Sequence, residues 1–312
     1  MTAAPLEVPV ALLVFNRPDL TAKVFAQVRA AAPRRLFVIA DGPRTEAERA
    51  TCLAVRAEIN VDWPCEVSTL YADTNLGCQA RPASGIDWVF SHCEEAIFLE
   101  DDCVPSPAFF RYCGTLLERY RADERVMCIG GTSLFPGAPR PDESYYFSRY
   151  GTTWGWATWR RAWLHFDVGM SDWPRFKRAR GMRDVFESRE ERWFWTALFD
   201  AQYEGRIVAW DYAWFFARLA NGGLSTGPYT NLVANLGFRA DATNTARMPA
   251  LFERACVAHD EWTVAHPSHV LPNRDVDAFN LHAVFNPRGM TGVAMSHVRR
   301  LIEDVLPRRA RS

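Results

Sequence analysis

The stretch Ile97-Phe98-Leu99-Glu100-Asp101-Asp102 decides the fold: three apolar residues are followed directly by three carboxylates. Short apolar runs are typical of strands at the centre of a parallel sheet, and such sheets bind ligands beyond the carboxyl ends of their strands. Three adjacent carboxylates repel one another when they lose water, so a positive partner is expected beside them. A hard, oxygen-binding divalent cation fits this requirement, above all if it also holds phosphates.

Apolar runs on the N-terminal side of this stretch alternate with helical patterns. Strands are predicted at residues 8–15, 36–40, 66–71 and 95–99, and the segments between them have helical spacing. Strand–helix alternation of this kind is the signature of a parallel sheet with helices on both faces. The chain is therefore predicted to be an α/β protein.

Polar residues follow each of these predicted strands. Parallel strands bring their carboxyl ends to one edge of a sheet, so these side chains are expected to lie near one another. This gathering predicts a nucleotide or sugar-nucleotide site. Its members are Asn16 and Arg17 after the first strand, Asp41 after the second, Asn75 and Gly77 after the third, and Glu100 to Asp102 after the fourth.

The chain becomes aromatic-rich beyond the carboxylates. Residues 145–166 are dense in rings, with Trp154-Gly155-Trp156 at the centre. A short strand is predicted at 207–210, directly before Asp211, and a helix at 212–220. From about Met248 the composition shifts towards His and Arg, which indicates a C-terminal extension.

Composition excludes several classes of protein. The chain has 312 residues, 48% of them hydrophobic, and a formal net charge of -1, so nucleic acid is not predicted as a partner and membrane contact is at most peripheral. Its eight cysteines form no Cys-x-x-Cys pair, which favours thiols in a reducing compartment. No signal peptide or membrane span is apparent, so a cytoplasmic location is predicted, at or near the inner face of the membrane at most.

Three motifs in order resemble a known family. Glu100-Asp101-Asp102 comes first, with Pro105 and Phe109-Phe110 behind it; Trp154-Gly155-Trp156 is second, and Trp210-Asp211-Tyr212-Ala213-Trp214 third. Together they resemble GT-A nucleotide-sugar glycosyltransferases of the family-2-like bacterial type, a group that includes proteins labelled hemolytic-protein-like. They are also similar to N-acetylglucosaminyltransferase I. The resemblance covers roughly residues 8 to 245.

The resemblance implies a GT-A, Rossmann-like fold with a mixed, mainly parallel sheet flanked by helices. Residues 5–245 would form the glycosyltransferase domain, with a nucleotide-sugar-binding half at 8–130 and an aromatic-rich acceptor-binding half at 131–245. Residues 246–312 would form the C-terminal extension.

The resemblance also implies a role for each candidate site residue. Asp102 would bind Mn²⁺ or Mg²⁺, and Asp211 would be the catalytic base. Trp154, Gly155 and Trp156 would line the acceptor side. The donor nucleotide sugar would be contacted by Asn16, Arg17, Asp41, Asn75, Gly77, Arg81, Glu100 and Asp101.

The implied activity is metal-dependent, inverting transfer of a hexosyl or N-acetylhexosaminyl group from a nucleotide-diphosphate sugar. A UDP-sugar is the expected donor, and a hydroxyl of a glycan, glycolipid or protein is the expected acceptor, as in polysaccharide biosynthesis. One position departs from the family. Relatives often have His where Asp241-Ala242-Thr243-Asn244-Thr245 has Asn244, which leaves the second metal anchor open.

Other interpretations of the same residues remain open from the sequence. The carboxylates could lie in a solvated loop, Asp41 could start an Asp-Gly-Pro turn, and Asp211 could cap a helix. The tryptophans could be core residues. A nucleotidyltransferase of the same fold is one alternative function, although no glycine follows the first strand to form a phosphate loop. A non-catalytic carbohydrate-binding or cytolytic protein is another.

Overall fold

A computed structural model describes residues 5–238, 253 and 255–285. The Asp241–Thr245 segment and the basic C-terminus considered above lie outside these residues. The strands are Val10–Val14 (β1), Arg35–Ala40 (β2), Glu66–Tyr71 (β3), Glu95–Glu100 (β4), Cys103–Pro105 (β5), Val126–Gly130 (β6), Tyr145–Ser148 (β7), Trp156–Trp159 (β8), Leu224–Pro228 (β9) and Val233–Asn235 (β10).

The helices in the described residues flank these strands. A 3₁₀ turn at Glu46–Glu48 and a π-helical segment at Asn280–Phe285 accompany them. The α-helices are Pro18–Ala31 (α1), Arg49–Glu58 (α2), Gly77–Phe90 (α3), Pro107–Arg119 (α4), Arg160–Trp163 (α5), Trp173–Arg178 (α6), Met182–Val185 (α7), Arg189–Tyr203 (α8), Asp211–Ala220 (α9) and Arg274–Phe279 (α10).

An eight-stranded sheet forms the centre, in the order β3-β2-β1-β4-β8-β6-β9-β7. The first four strands are mutually parallel. Strand β8 runs antiparallel between β4 and β6, β9 is parallel to β6, and β7 is antiparallel at the edge. This mixed, mainly parallel sheet confirms the predicted α/β class and is consistent with a GT-A-like Rossmann arrangement.

Both faces of the central strands are buried, which explains their unbroken apolar sequence. In β1, Val10 and Leu12 pack on the face covered by α1 and α4, while Ala11 and Leu13 pack on the face covered by α3. A strand covered on two sides has no position for a polar side chain before its end. The first polar residues therefore appear where the strands stop, at the functional edge.

The second half of the chain adds strands to the same sheet and builds an aromatic core of its own. Strand β8 pairs with β4 and β6, so one sheet crosses the position where the sequence was divided into two halves. Helices α6 to α9 enclose a separate cluster that includes Trp173, Trp195 and Phe215. The strand predicted at 207–210 is absent from this described segment, which instead forms an extended connection into α9.

The described part of the C-terminal extension packs against the domain. Asn273 donates its backbone N–H to Phe147 O at 2.7 Å. The carboxylate of Asp277 pairs with Arg149 Nε at 2.9 Å and accepts from Ser148 Oγ at 2.6 Å.

All eight cysteines are free thiols. Among the described residues, no helix combines the length and apolar character that crossing a membrane requires.

Candidate functional site

The acidic triplet lies at the centre of the functional edge. Glu100 is the last residue of β4, and Asp101 and Asp102 form the turn into β5. Asp101 is 8% exposed. The carboxylates thus leave the sheet at its middle strand, between the parallel half and β8, and the sequence placed them correctly.

Arg17 supplies the positive partner that these carboxylates require. Its Nη1 lies 2.8 Å from Asp102 Oδ2 and 3.5 Å from Asp101 Oδ1. The backbone N–H of Phe15 also donates to Asp101 Oδ2 at 3.3 Å. Because β1 and β4 are adjacent, the residues after β1 meet the residues after β4. Three carboxylates exceed the single charge of this guanidinium, so the cluster can accept a further cation.

Burial makes ionisation of the triplet costly. It raises the pKa of Asp101 to about 7, and Asp102 adds to this rise while Arg17 opposes it. Burial also raises the pKa of Glu100 well above its ordinary value. The negative charges of Asp102, Asp101 and Asp211, in that order, raise it further. The last of these contributions places Asp211 within electrostatic reach of the triplet, although 111 positions separate it from Glu100.

Asp211 is the first residue of α9 and is half-buried. Its Oδ1 accepts the backbone N–H of Tyr212 at 3.0 Å, and burial raises its pKa. The segment before it is held by α3, since Cys78 Sγ lies 3.4 Å from Val208 O and Gln79 Nε2 donates to Ala209 O at 3.3 Å. A carboxylate held in this way, with a pKa raised by burial, is a stronger base than an exposed aspartate.

The first turn of α3 marks the meeting point of these carboxylates. Burial raises the pKa of the Cys78 thiol, with further contributions from Asp211, Glu100 and Asp41 in that order. Asp211 begins α9, Glu100 ends β4 and Asp41 follows β2, so the three side chains come from separate elements. The structure therefore brings together residues that the sequence could associate only through strand order.

Asp41 holds the loop after β3 in place. Its Oδ1 accepts backbone N–H groups of Gly42 at 2.8 Å and Leu76 at 2.9 Å. Its Oδ2 accepts Asn75 Nδ2 at 2.9 Å and the Gly77 N–H at 3.1 Å. A carboxylate has about four acceptor positions, and these bonds use them. Asp41 thus fixes Asn75 and Gly77 at the edge, where φ of +86° favours glycine at 77.

Two predicted donor contacts lie apart from the triplet. Asn16 donates to Glu48 Oε1 at 3.3 Å, towards the β2–α2 loop. Arg81 is 7% exposed, and its guanidinium donates to Leu70 O, a backbone carbonyl of β3. The prediction for Arg81 is corrected: its side chain packs under α3 instead of reaching the edge. Its guanidinium is buried between α3 and β3, where it satisfies the Leu70 carbonyl and is not available to a donor at the edge.

The packing of β10 and the residues after it against the triplet was not predicted from the sequence. Strand β10 pairs antiparallel with β5, with Asn235 opposite Cys103. The backbone N–H of Leu236 then donates to Asp102 O at 2.8 Å. A Cβ on Gly237 would lie 2.2 Å from Asp102 Oδ2, so only glycine allows the backbone to approach this carboxylate so closely. Asn235 and Gly237 were not among the predicted site residues.

The Trp154-Gly155-Trp156 motif divides between surface and core. Trp156 is 1% exposed and stacks on Phe98 with centroids 4.9 Å apart, so it cannot contact an acceptor and its predicted role is corrected to core packing. Gly155 is buried at φ +66°, where a Cβ would meet Val233 at 2.7 Å, so it serves the turn. Trp154 is partly buried and meets Phe238 edge-on at 5.6 Å.

Trp156→Ala is expected to lower the free energy of unfolding by about 3–5 kcal/mol, because a large ring is removed from a close-packed core. Trp154→Ala is the matched comparison and should cost less than about 2 kcal/mol, since its ring is partly exposed. Urea unfolding followed by far-UV circular dichroism measures both. Equal losses in the two variants would contradict the division between core and surface.

The donor set at the triplet fits a cation that arrives with a phosphate ligand. In the part of the chain that the structure describes, no group of three or more His, Cys, Asp or Glu side chains could hold a metal ion by itself. Asp102 offers a hard carboxylate oxygen at this edge. Mg²⁺ and similar ions commonly bind one or two carboxylates and take their remaining ligands from phosphates and water.

Comparisons with known proteins add a weak likeness to a solved structure. No protein-family model matches the sequence, and no curated protein matches it either. Among solved structures, the chain is similar to a mannosyltransferase from Pyrobaculum calidifontis in complex with GDP-Man and Mn²⁺. The TM-score is 0.38 and the identity 16%, over 70% of this chain and 71% of that chain. A similarity of this size identifies neither an activity nor a ligand for this chain.

Proposed function

We propose that this protein is a metal-dependent glycosyltransferase that moves a sugar from a nucleotide-diphosphate sugar, a UDP-sugar in the first instance, to a hydroxyl of a glycan, glycolipid or protein. One observation carries the proposal. The Glu100–Asp102 triplet and its partner Arg17 lie together where β1 and β4 end, and the half-buried Asp211 lies within electrostatic reach of Glu100. The edge of an α/β sheet beyond its strand ends is where such folds bind ligands.

The diphosphate end of the reaction is assigned to Asp102 and Arg17. Asp102 would hold Mn²⁺ or Mg²⁺, which when bound supplies positive charge to the leaving diphosphate. Arg17 already lies 2.8 Å from Asp102, and its planar guanidinium matches the geometry of a phosphate. Phosphate oxygens entering here would share Arg17 with Asp102 and add negative charge, which a cation bound by Asp102 would offset.

The sugar and nucleoside are assigned to the residues on either side. Burial raises the pKa of Glu100 well above its ordinary value, so it takes up a proton more readily than an exposed glutamate, and in that form it could donate a hydrogen bond to a sugar oxygen. Asp101 would accept from sugar or ribose hydroxyls. Asn75 and Gly77 would face the nucleoside, and Asp41 would act by positioning them.

Asp211 is assigned the role of base. Its Oδ1 is oriented by the Tyr212 N–H, and its Oδ2 makes no hydrogen bond to another described residue. That oxygen can take the proton of the acceptor hydroxyl as the new bond to the anomeric carbon forms. A base on the side opposite the leaving diphosphate gives inversion. Trp154, at the rim beside Phe238, would line the acceptor side.

The two alternatives fit the same site less well. A nucleotidyltransferase needs backbone N–H groups that cradle the phosphates, but the loop after β1 holds no glycine and Pro18 lacks an N–H at the start of α1. A non-catalytic carbohydrate-binding protein would not need the buried carboxylates beside Arg17, because burying charge is costly without a ligand to hold.

Calorimetric titration of UDP, GDP, UDP-sugars and GDP-sugars, each with and without Mn²⁺, tests the proposal. We expect at least one nucleotide to bind with micromolar to millimolar affinity and to require Mn²⁺ for most of it. Binding should also raise the melting temperature, because a ligand that binds only the folded state stabilises it. If no nucleotide bound at millimolar concentration with Mn²⁺, the transferase proposal would be wrong.

A further inference from the structure

Helices α6, α7 and α8 enclose a surface groove of about 620 Å³ that the proposed reaction centre does not include. Five of its lining residues are basic and two are acidic, which leaves three positive charges in excess. The charged residues in the lining are Lys177, Arg180, Arg183, Arg192, Asp200, Glu204 and Arg206.

Some of these charges are compensated within the groove. Lys177 Nζ contacts both oxygens of Asp200 at 2.7 Å. Arg206 pairs with Glu204 at 2.6 Å. These ion pairs hold Asp200 and Glu204 in place, and both carboxylates remain part of the groove lining.

The remaining basic side chains in the lining have no acidic partner among the described residues. Arg192 donates to the backbone carbonyls of Phe186 and Glu187, both at 2.7 Å. Arg180 and Arg183 are exposed and form no ion pair with a described residue. These three guanidiniums provide the excess charge, and each presents donors that suit a carboxylate or phosphate.

A tryptophan lies in the same groove. Trp193 is 46% exposed, which is unusual for so large an apolar side chain. It shares one face of α8 with Ala197, Asp200 and Glu204, at the helical spacing of four, seven and eleven residues. A flat, half-exposed ring next to hydrogen-bonding side chains suits the C–H face of a sugar.

The groove lies a short chain distance from the proposed base. Its lining ends at Glu204 and Arg206, and Asp211 follows Arg206 by five residues, a distance of at most about 18 Å even in extended chain. Gln202 Nε2 donates to Ala209 O at 2.7 Å, which holds this connection against α8. A chain-like ligand in the groove could therefore reach the carboxylate of Asp211.

We propose that this basic groove binds an acidic saccharide, a glycan bearing carboxylate or phosphate groups, as part of the acceptor. The inference rests on the proposed function, because it names the substrate class of that reaction. Arg180, Arg183 and Arg192 bind the anionic groups, and the ring of Trp193 packs against a sugar face. Asp200 and Glu204 accept sugar hydroxyls, whereas the same carboxylates would be repelled by an anionic membrane surface.

Binding of a hexameric oligogalacturonide, compared with neutral maltohexaose, tests the groove directly. At low salt the acidic oligomer is expected to bind at least about tenfold more tightly, with most of the difference lost in high salt, because screening weakens exposed charge pairs. The double variant Arg180→Glu with Arg183→Glu should weaken binding of the acidic oligomer at least about tenfold. Trp193→Ala should weaken it about threefold or more.

Arg178→Glu is the matched control, because Arg178 is exposed in the last turn of α6 but is not part of the groove lining. Its binding of the acidic oligomer should stay within about twofold of wild type. An equal loss in this variant, or equal affinity for maltohexaose, would overturn the inference. Binding to phosphatidylglycerol vesicles without binding to the oligomer would show a membrane surface instead.

Donor binding separates this inference from the proposed function. Titration of UDP or GDP with Mn²⁺ uses the residues at the sheet edge and not the groove. Normal nucleotide binding with no oligogalacturonide binding overturns the groove inference alone. Oligogalacturonide binding without any nucleotide binding would leave the groove as a glycan site and overturn the transferase.

Discussion

Asp211→Asn is expected to lower turnover at least about a hundredfold while donor affinity stays within about twofold of wild type. The asparagine keeps the shape of the side chain, and its carbonyl can still accept the Tyr212 N–H that orients Asp211 Oδ1 at 3.0 Å. It cannot accept the proton of the attacking hydroxyl. A general base contributes about 10²–10⁴-fold to rate, so its removal should affect the chemical step and not binding.

Hydrolysis of the nucleotide sugar identified by titration measures this turnover, since water can replace the acceptor hydroxyl. Glu190→Gln is the matched control, because it removes one carboxylate charge from α8 and should leave the rate within about twofold. Glu191 is not a candidate for the catalytic base, since its Oε1 accepts the Tyr150 hydroxyl at 2.5 Å inside the aromatic core. Near-normal turnover in Asp211→Asn would remove Asp211 from the base role.

Asp102→Ala is expected to abolish the part of donor affinity that depends on Mn²⁺. Loss of groups that merely support metal ligands costs about 10–100-fold in metal affinity, so loss of a proposed ligand should cost at least about a hundredfold. The variant also removes the 2.8 Å contact of Arg17 with Asp102 and keeps the 3.5 Å contact with Asp101, which makes the guanidinium more available to phosphate. Metal-independent nucleotide binding should therefore persist or rise slightly.

Calorimetry with and without Mn²⁺ separates these two contributions. Arg17→Met provides the opposite case, because it removes the phosphate partner and leaves the carboxylates that would hold the cation. That variant should lose metal-independent nucleotide binding and keep a dependence on Mn²⁺. An Asp102→Ala protein with unchanged Mn²⁺ dependence would show that the cation binds elsewhere.

Strand ends were the part of the site that could be predicted from sequence. Buried parallel strands require apolar residues throughout, so the first polar residue after each run marks where the chain leaves the sheet. That reasoning placed Glu100 to Asp102 after β4 and Asp41 after β2, where the structure has them. It also placed Arg17 after β1, and adjacency of β1 and β4 then produced the pair with Asp102.

Burial and orientation were the part that sequence reasoning could not supply. Trp154 and Trp156 have the same chemistry and lie two residues apart, yet Trp156 is core and Trp154 lies partly exposed at the rim. Arg81 and Arg17 are both basic residues near strand ends, but only Arg17 faces the triplet. The difference depends on helix phase and on which neighbours cover each side chain.

The sequence by itself determined the α/β class and the set of residues at the functional edge, because strand periodicity and the requirement to bury both sheet faces act locally along the chain. Only the tertiary structure decided how those residues are used. It returned β10 onto Asp102, brought Asp211 within reach of Glu100, and assembled the basic groove from three helices. Those contacts join positions far apart in the sequence. Such contacts depend on how the elements pack and not on the local sequence pattern.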